Sequence, residues 1–170
     1  EWRPFLLGPL FYEQQGLRDS PFNAVPVKGE YMWRDLARIC QAEGLPLERP
    51  SQFPRNTLLP ARLAVVGAEQ GWIAPFSRAV YLANFARDAD IAAEATLRQI
   101  LLEVGADPDA ALAAAASEPI KARLKAHVAD AAGRGLFGAP SFVTPDGELF
   151  WGNDRLEQAV AWTARQHQSA

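Results

Sequence analysis

The chain has 170 residues, 49% of them hydrophobic, with a net charge of −3 from 17 basic and 20 acidic side chains. That length suits one compact domain, with room for a subdomain, able to bury roughly two-thirds of its unfolded surface without a disulfide or metal staple. Mixed charge without a basic stripe argues against binding a phosphate backbone, no apolar run approaches the ~18 residues of a membrane span, and a single cysteine, Cys40, excludes an internal disulfide and a Cys-x-x-Cys pair.

Residues 2–7 read as a short strand closed by Gly8-Pro9, and a chain that opens on such a strand suggests an absent upstream segment. Residues 8–28, broken by Pro9, Gly16, Ser20, Pro21 and Pro26, read as a long irregular loop, a feature usually functional or disordered. From Tyr31 the spacing predicts a helix with Trp33, Leu36, Ala37 and Cys40 on one face, ended by Gly44-Leu45-Pro46. Cys40 on that face reads as a small buried hydrophobe, not a nucleophile. Pro46, Pro50 and Pro54 mark residues 46–56 as an extended connector.

Five helices are then predicted, over 58–70, 74–86, 90–104, 108–115 and 118–133. Asp107-Pro108 and Glu118-Pro119 are helix starts with proline in the first turn, and the alanines from Ala110 to Ala116 favour helix by propensity. Ser141 to Thr144 and Glu148 to Trp151 alternate around the turn Pro145-Asp146-Gly147 and predict a β-hairpin. A final helix opens at Asn153, with Leu156, Ala159, Val160 and Thr163 as its inner stripe and Asp154 and Glu157 in a capping-box spacing. Strand, loop, helical block, hairpin and helix together indicate an α/β protein with a helical insertion.

The segment Gly135-Leu136-Phe137-Gly138-Ala139-Pro140-Ser141-Phe142 carries the main chemical signal. Proline directly before a strand cannot donate to a ladder. It is either a trans proline at a strand start or a cis bond that turns the chain sharply into the strand.

That segment, the hairpin after it and Phe150-Trp151-Gly152-Asn153-Asp154-Arg155-Leu156 resemble the closing half of the 2-hydroxychromene-2-carboxylate isomerases. These belong to the DsbA-like thioredoxin superfamily and are related to kappa-class glutathione transferases. Ser20 to Asp35 and Phe53-Pro54-Arg55-Asn56 are similar to the family's loop and first insertion helix, so the resemblance spans nearly the whole chain. It implies a thioredoxin-like α/β fold with a large all-helical insertion, residues 1–30 and 129–170 forming the thioredoxin-like part and 31–128 the insertion. The first β-α unit would be absent from this chain. It implies glutathione as cofactor. Ala139 would offer its backbone to the cysteinyl part beside Pro140, and Trp151, Gly152, Asn153 and Asp154 would hold the γ-glutamyl end, by a one-residue β-augmentation and a helix N-terminus. Asn153 and Asp154 also read as a plain helix cap.

Asn23 and Lys28 match loop positions that contact glutathione or an acidic substrate; Lys28 reads equally as a solvated lysine. Asn56, and more weakly Arg62, match positions near the substrate pocket. Trp33, Phe53, Trp72, Phe76 and Tyr81 fit an aromatic pocket or plain core. The family's reactive Ser or Cys lies N-terminal to Glu1, so no catalytic residue is assigned in this chain. The implied activity is a glutathione-dependent isomerisation of an aromatic-degradation intermediate; a kappa-like transferase and a non-catalytic binding protein are the alternatives. A small-molecule aromatic substrate, no metal, no nucleic acid or membrane partner, a homodimer and a cytoplasmic location complete the expectation.

Overall fold

The computed structural model describes residues 1–168. Residues 1–6 are extended but form no strand, which corrects the strand expected over 2–7. The segment does alternate: Phe5 packs on one apolar cluster and Leu6 on another. A strand also needs a ladder for its N–H and C=O groups, and here Pro4 lacks an N–H and gives its carbonyl to His127 Nδ1 at 3.0 Å. The expected loop over 8–28 is largely helical. Helix α1 spans Leu7–Gln15 and buries Leu10 completely against Ala131 and Leu136.

Helix α2, Pro21–Ala24, starts at Ser20, whose Oγ accepts from Phe22 N–H at 3.3 Å with Pro21 in the first turn. Helix α3, Pro26–Ala42, begins five residues before the expected Tyr31. Its backbone lies so close to α2 that a Cβ on buried Gly29 would collide with the Phe22 carbonyl oxygen. Otherwise α3 lies outside the core: Trp33, Leu36 and Cys40 are half-buried and Ala37 is exposed, so the expected apolar face is only partly covered.

The helical block forms as the periodicity predicts, because its apolar positions recur at three and four and its stops are glycines or charged turns. It comprises α4 (Leu58–Gln70), α5 (Ile73–Ala86), α6 (Glu94–Glu103), α7 (Pro108–Ala116) and α8 (Glu118–Gly133). Helix α6 is shorter than expected, since Asp90 turns the chain by accepting from Ala92 N–H at 2.9 Å. Asp107 caps α7 through Asp109 N–H and Ala110 N–H. Leu63, Val65, Phe76, Leu97, Leu101 and Leu124 centre the main core, and the smaller cluster around Leu10 lies under the hairpin.

Strands β1 (Ser141–Val143) and β2 (Leu149–Trp151) pair antiparallel, Phe142 opposite Phe150, as a two-stranded sheet among the described residues. A short 3-10 turn, Asn153–Arg155, leads into α9, Leu156–Gln168. Ala159 is buried and Thr163 half-buried, but Leu156 and Val160 are exposed, so half of the expected stripe faces outward. A ribbon two strands wide covers only a narrow line of the helix. That line is held by Trp162, which packs on Phe150 at 6.3 Å and donates to Asp146 Oδ2 at 2.8 Å. The capping box is not formed either: Asp154 lies inside the turn and accepts from Arg155 Nη1 at 2.7 Å. No helix of the described residues is long and apolar enough to cross a membrane.

Candidate functional site

The Ala139–Pro140 bond is cis. Around it the chain is clamped on one side and open on the other. Ser141 Oγ donates back to Gly138 C=O at 2.8 Å, and Gly152 N–H donates to Pro140 C=O at 3.0 Å, one residue beyond the first β1–β2 pair. Gly138 is buried under the Trp151 indole, which also meets Phe137 at 4.9 Å. Ala139 and Pro140 are exposed, and the Ala139 N–H and C=O take no part in the ladder among the described residues.

Gly152 adopts φ 110°, a conformation that side-chain-bearing residues avoid, and a Cβ there would collide with Asp154 Oδ1. This kink starts the 3-10 turn beside the cis step. Arg155 N–H is the first to bond back, to Gly152 C=O at 3.1 Å. The turn's leading N–H groups, at Asn153 and Asp154, thus have no partner within it. Asp154 is exposed and sits beside Arg155, so the patch offers a cation, a carboxylate and N–H groups that have no partner within the turn. At the hairpin's other end, hydrogen bonds from Thr144 Oγ1 and then Trp162 hold the Asp146 carboxyl below its usual range. Ala139, Pro140, Trp151, Gly152, Asn153 and Asp154 therefore form one contiguous surface.

The other expected site residues lie elsewhere. Asn23 Nδ2 donates to Asp19 and to Phe53 C=O at 3.0 Å, tying α2 to the connector at its second cis bond, Phe53–Pro54. Lys28 Nζ stands 6.0 Å from the Phe22 ring centroid. Asn56 Oδ1 accepts from Leu58 N–H at 2.9 Å at the start of α4. Among the described residues no hydrogen bond, ion pair or ring contact joins these three to the cis-proline patch.

The five aromatics do not share a pocket. Trp33 meets Phe53 edge-on at 5.1 Å, and Trp33 with Phe22, Asn23, Glu30 and Arg49 lines a cavity of about 300 Å³. Trp72 and Phe76 pair at 5.3 Å, Phe76 within the helical core, while exposed Tyr81 stacks on Phe85.

A network absent from the sequence reading anchors the connector. Arg55, 5% exposed, donates to Asn84 Oδ1 at 2.7 Å, to Asp88 C=O at 3.1 Å, to Ser51 Oγ at 3.3 Å and to the Asp88 carboxylate. Asp88 also accepts from Ser51 N–H at 2.9 Å and has φ 48°. An arginine enclosed by Pro54 and Asn56 in a proline-rich stretch was the available signal, but its partners Asn84 and Asp88 lie 29 and 33 residues away.

Residues 1–161 match the model of the DSBA-like thioredoxin domain. The chain is 31% identical to 2-hydroxychromene-2-carboxylate isomerase of Sphingobium xenophagum over 162 residues, 92% of this chain and 78% of that protein. It is 24% identical to glutathione S-transferase kappa 2 of Caenorhabditis elegans over 153 residues, 82% of this chain and 68% of that protein. The fold is similar to a solved structure of 2-hydroxychromene-2-carboxylate isomerase, with a TM-score of 0.82 and 23% identity over 99% of this chain and 83% of the other. At that identity the likeness shows the fold.

Proposed function

This chain belongs to the DSBA-like thioredoxin domain family, alongside 2-hydroxychromene-2-carboxylate isomerase, and from that premise we propose that it is a glutathione-dependent isomerase acting on 2-hydroxychromene-2-carboxylate or a similar aromatic-degradation intermediate. The observation that carries the reading is the exposed cis Ala139–Pro140 step, with Ala139's backbone outside the ladder and the Gly152–Asp154 turn beside it. Bound glutathione would supply a thiolate able to add to the substrate and leave again after bond rotation.

The chain's own residues bind and orient. Ala139, exposed beside Pro140, pairs with the cysteinyl peptide unit by one residue of β-augmentation. Asn153 and Asp154 N–H groups receive the γ-glutamyl carboxylate at a positive helix end, and Asp154 Oδ1 accepts from the glutamyl ammonium. Trp151 closes one side of the patch over Gly138. Asn23, Lys28 and Asn56 serve the acidic substrate in this reading. In this reading residues 1–30 and 129–170 form a thioredoxin-like part and 31–128 a helical insertion; the buried residues of the main cluster, Leu63 to Leu124, all fall within the insertion.

Titration calorimetry with glutathione tests the reading, and absence of binding would overturn it. The kappa transferase relative favours a second reading, formation of stable conjugates. Product analysis separates the two: an isomer with glutathione regained, or an adduct. Glutathione binding without turnover of either kind would leave a non-catalytic binding protein.

A further inference from the structure

We infer that Phe137 is a positioning residue for the proposed glutathione patch: its ring holds the Trp151 indole over Gly138 and so fixes one lip of the exposed Ala139–Pro140 step. The inference deepens the isomerase reading and rests on it only for the identity of the ligand.

Phe137 has no place in the core. It is 43% exposed, next to Leu136, which is buried with Leu10 and Ala131. Its ring partner among the described residues is Trp151, itself 51% exposed, at 4.9 Å between centroids and 59° between planes. Surface hydrophobics standing singly are ordinary, but adjoining ones form an apolar patch of the kind that marks a binding site. The Phe137 backbone is fixed from both sides. Leu136 N–H donates to Ala131 C=O at 2.9 Å, Leu136 C=O accepts from Gln14 Nε2 at 3.1 Å, and Gly138 C=O accepts from Ser141 Oγ at 2.8 Å. The phenyl ring is therefore a firm post for whatever leans on it.

The Trp151 indole needs such a post. The indoles of Trp72 and Trp162 are each fixed by an Nε1–H hydrogen bond, to Gln70 at 2.9 Å and to Asp146 at 2.8 Å. The Trp151 indole makes no hydrogen bond among the described residues, and at the end of β2 other staggered rotamers are open to it. Its backbone stands opposite Ser141, but the ring reaches back to Gly138. Ala139 and Pro140, both exposed, lie between those points in the chain. A ring that leaves Gly138 either uncovers that lip or sweeps across the step. A tilted aromatic contact shifts such a rotamer balance about three- to tenfold. Apparent affinity falls with the fraction of molecules in the competent arrangement.

The experiment pairs heteronuclear NOE measurements on the isotope-labelled chain with glutathione calorimetry. In the unmodified chain the Trp151 indole N–H is expected to be as rigid as the β1 and β2 amides. A mobile indole there would overturn the inference whether or not any variant folds. Phe137→Leu is expected to leave Tm unchanged, to mobilise the indole and to raise the glutathione Kd at least about threefold, with Phe137→Tyr restoring both. In a Trp151→Ala background Phe137→Leu is expected to change the Kd no further. An unchanged Kd in Phe137→Leu alone would sink the inference. So would the same loss in the Trp151→Ala background, because Phe137 would then act without Trp151. Absence of glutathione binding by the unmodified chain would remove the isomerase reading, while the indole measurements, which need no ligand, would still decide whether Phe137 holds Trp151.

Discussion

The Trp151 indole lies directly on Gly138, where an added Cβ would collide with Nε1 and stand 2.9 Å from Cε2 and 3.0 Å from Cδ1. The contact joins the residue entering the cis step to the last residue of β2, so it sets the spacing of the proposed glutathione patch. Trp151 is 51% exposed and has room to swing away. Gly138→Ala is therefore expected to fold, with a loss of about 1–3 kcal/mol from overpacking. Urea denaturation measures that loss. Calorimetry is expected to show weakened glutathione binding.

Gly29 meets backbone instead of a movable ring. A Cβ there would collide with the Phe22 carbonyl oxygen and lie 3.2 Å from its carbon. Gly29→Ala must push α2 off α3 and carry Asn23 with it. The expected outcome is loss of the Asn23 bond to Phe53 C=O, seen as a shifted Asn23 side-chain amide resonance, and a lower Tm.

Arg55→Ala removes the donor that satisfies Asn84 Oδ1 and Asp88 C=O in a nearly buried setting. Breaking a buried pair costs about 3–5 kcal/mol. Asp88 remains 28% exposed, so about 2–3 kcal/mol is expected from urea denaturation. Arg55→Lys recovers only part of this, because an ammonium lacks the planar fork that spans both partners.

The same network predicts an acid limb. The Arg55 hydrogen bond first, then Ser51, lowers the Asp88 pKa from 3.8 to about 2. A depressed folded-state pKa gives stabilisation that is present above the ordinary carboxylate range and lost as pH falls through about 2. The Tm difference between the unmodified chain and Asp88→Asn is therefore expected to be constant near neutrality and to shrink between about pH 4 and pH 2. A difference independent of pH would contradict it.

Asp154 is exposed and paired only with its neighbour Arg155 among the described residues. Asp154→Ala is expected to leave Tm unchanged and to weaken glutathione at least tenfold, the scale of one charge-assisted hydrogen bond. A purely structural Asp154 would leave calorimetric affinity intact.

Much of the chain was legible because its signals are local. Helices α4 and α8 coincide with the expected 58–70 and 118–133, since periodicity, first-turn prolines and glycine stops all act within a few residues. The hairpin and the motif around Pro140 were legible for the same reason. The strand over 2–7, the outward side of α9 and the scattered aromatics were not, because each depends on what lies across the fold from it.

By itself the sequence determined the helical block, the hairpin and the presence of Ala139-Pro140 and Gly152-Asn153-Asp154 at its two ends, all products of short-range sterics and capping. Only the tertiary structure decided that Arg55 is enclosed by Asn84 and Asp88 and that the Pro4 carbonyl meets His127. Those facts turn on which distant groups satisfy a buried donor, and no local pattern encodes that choice.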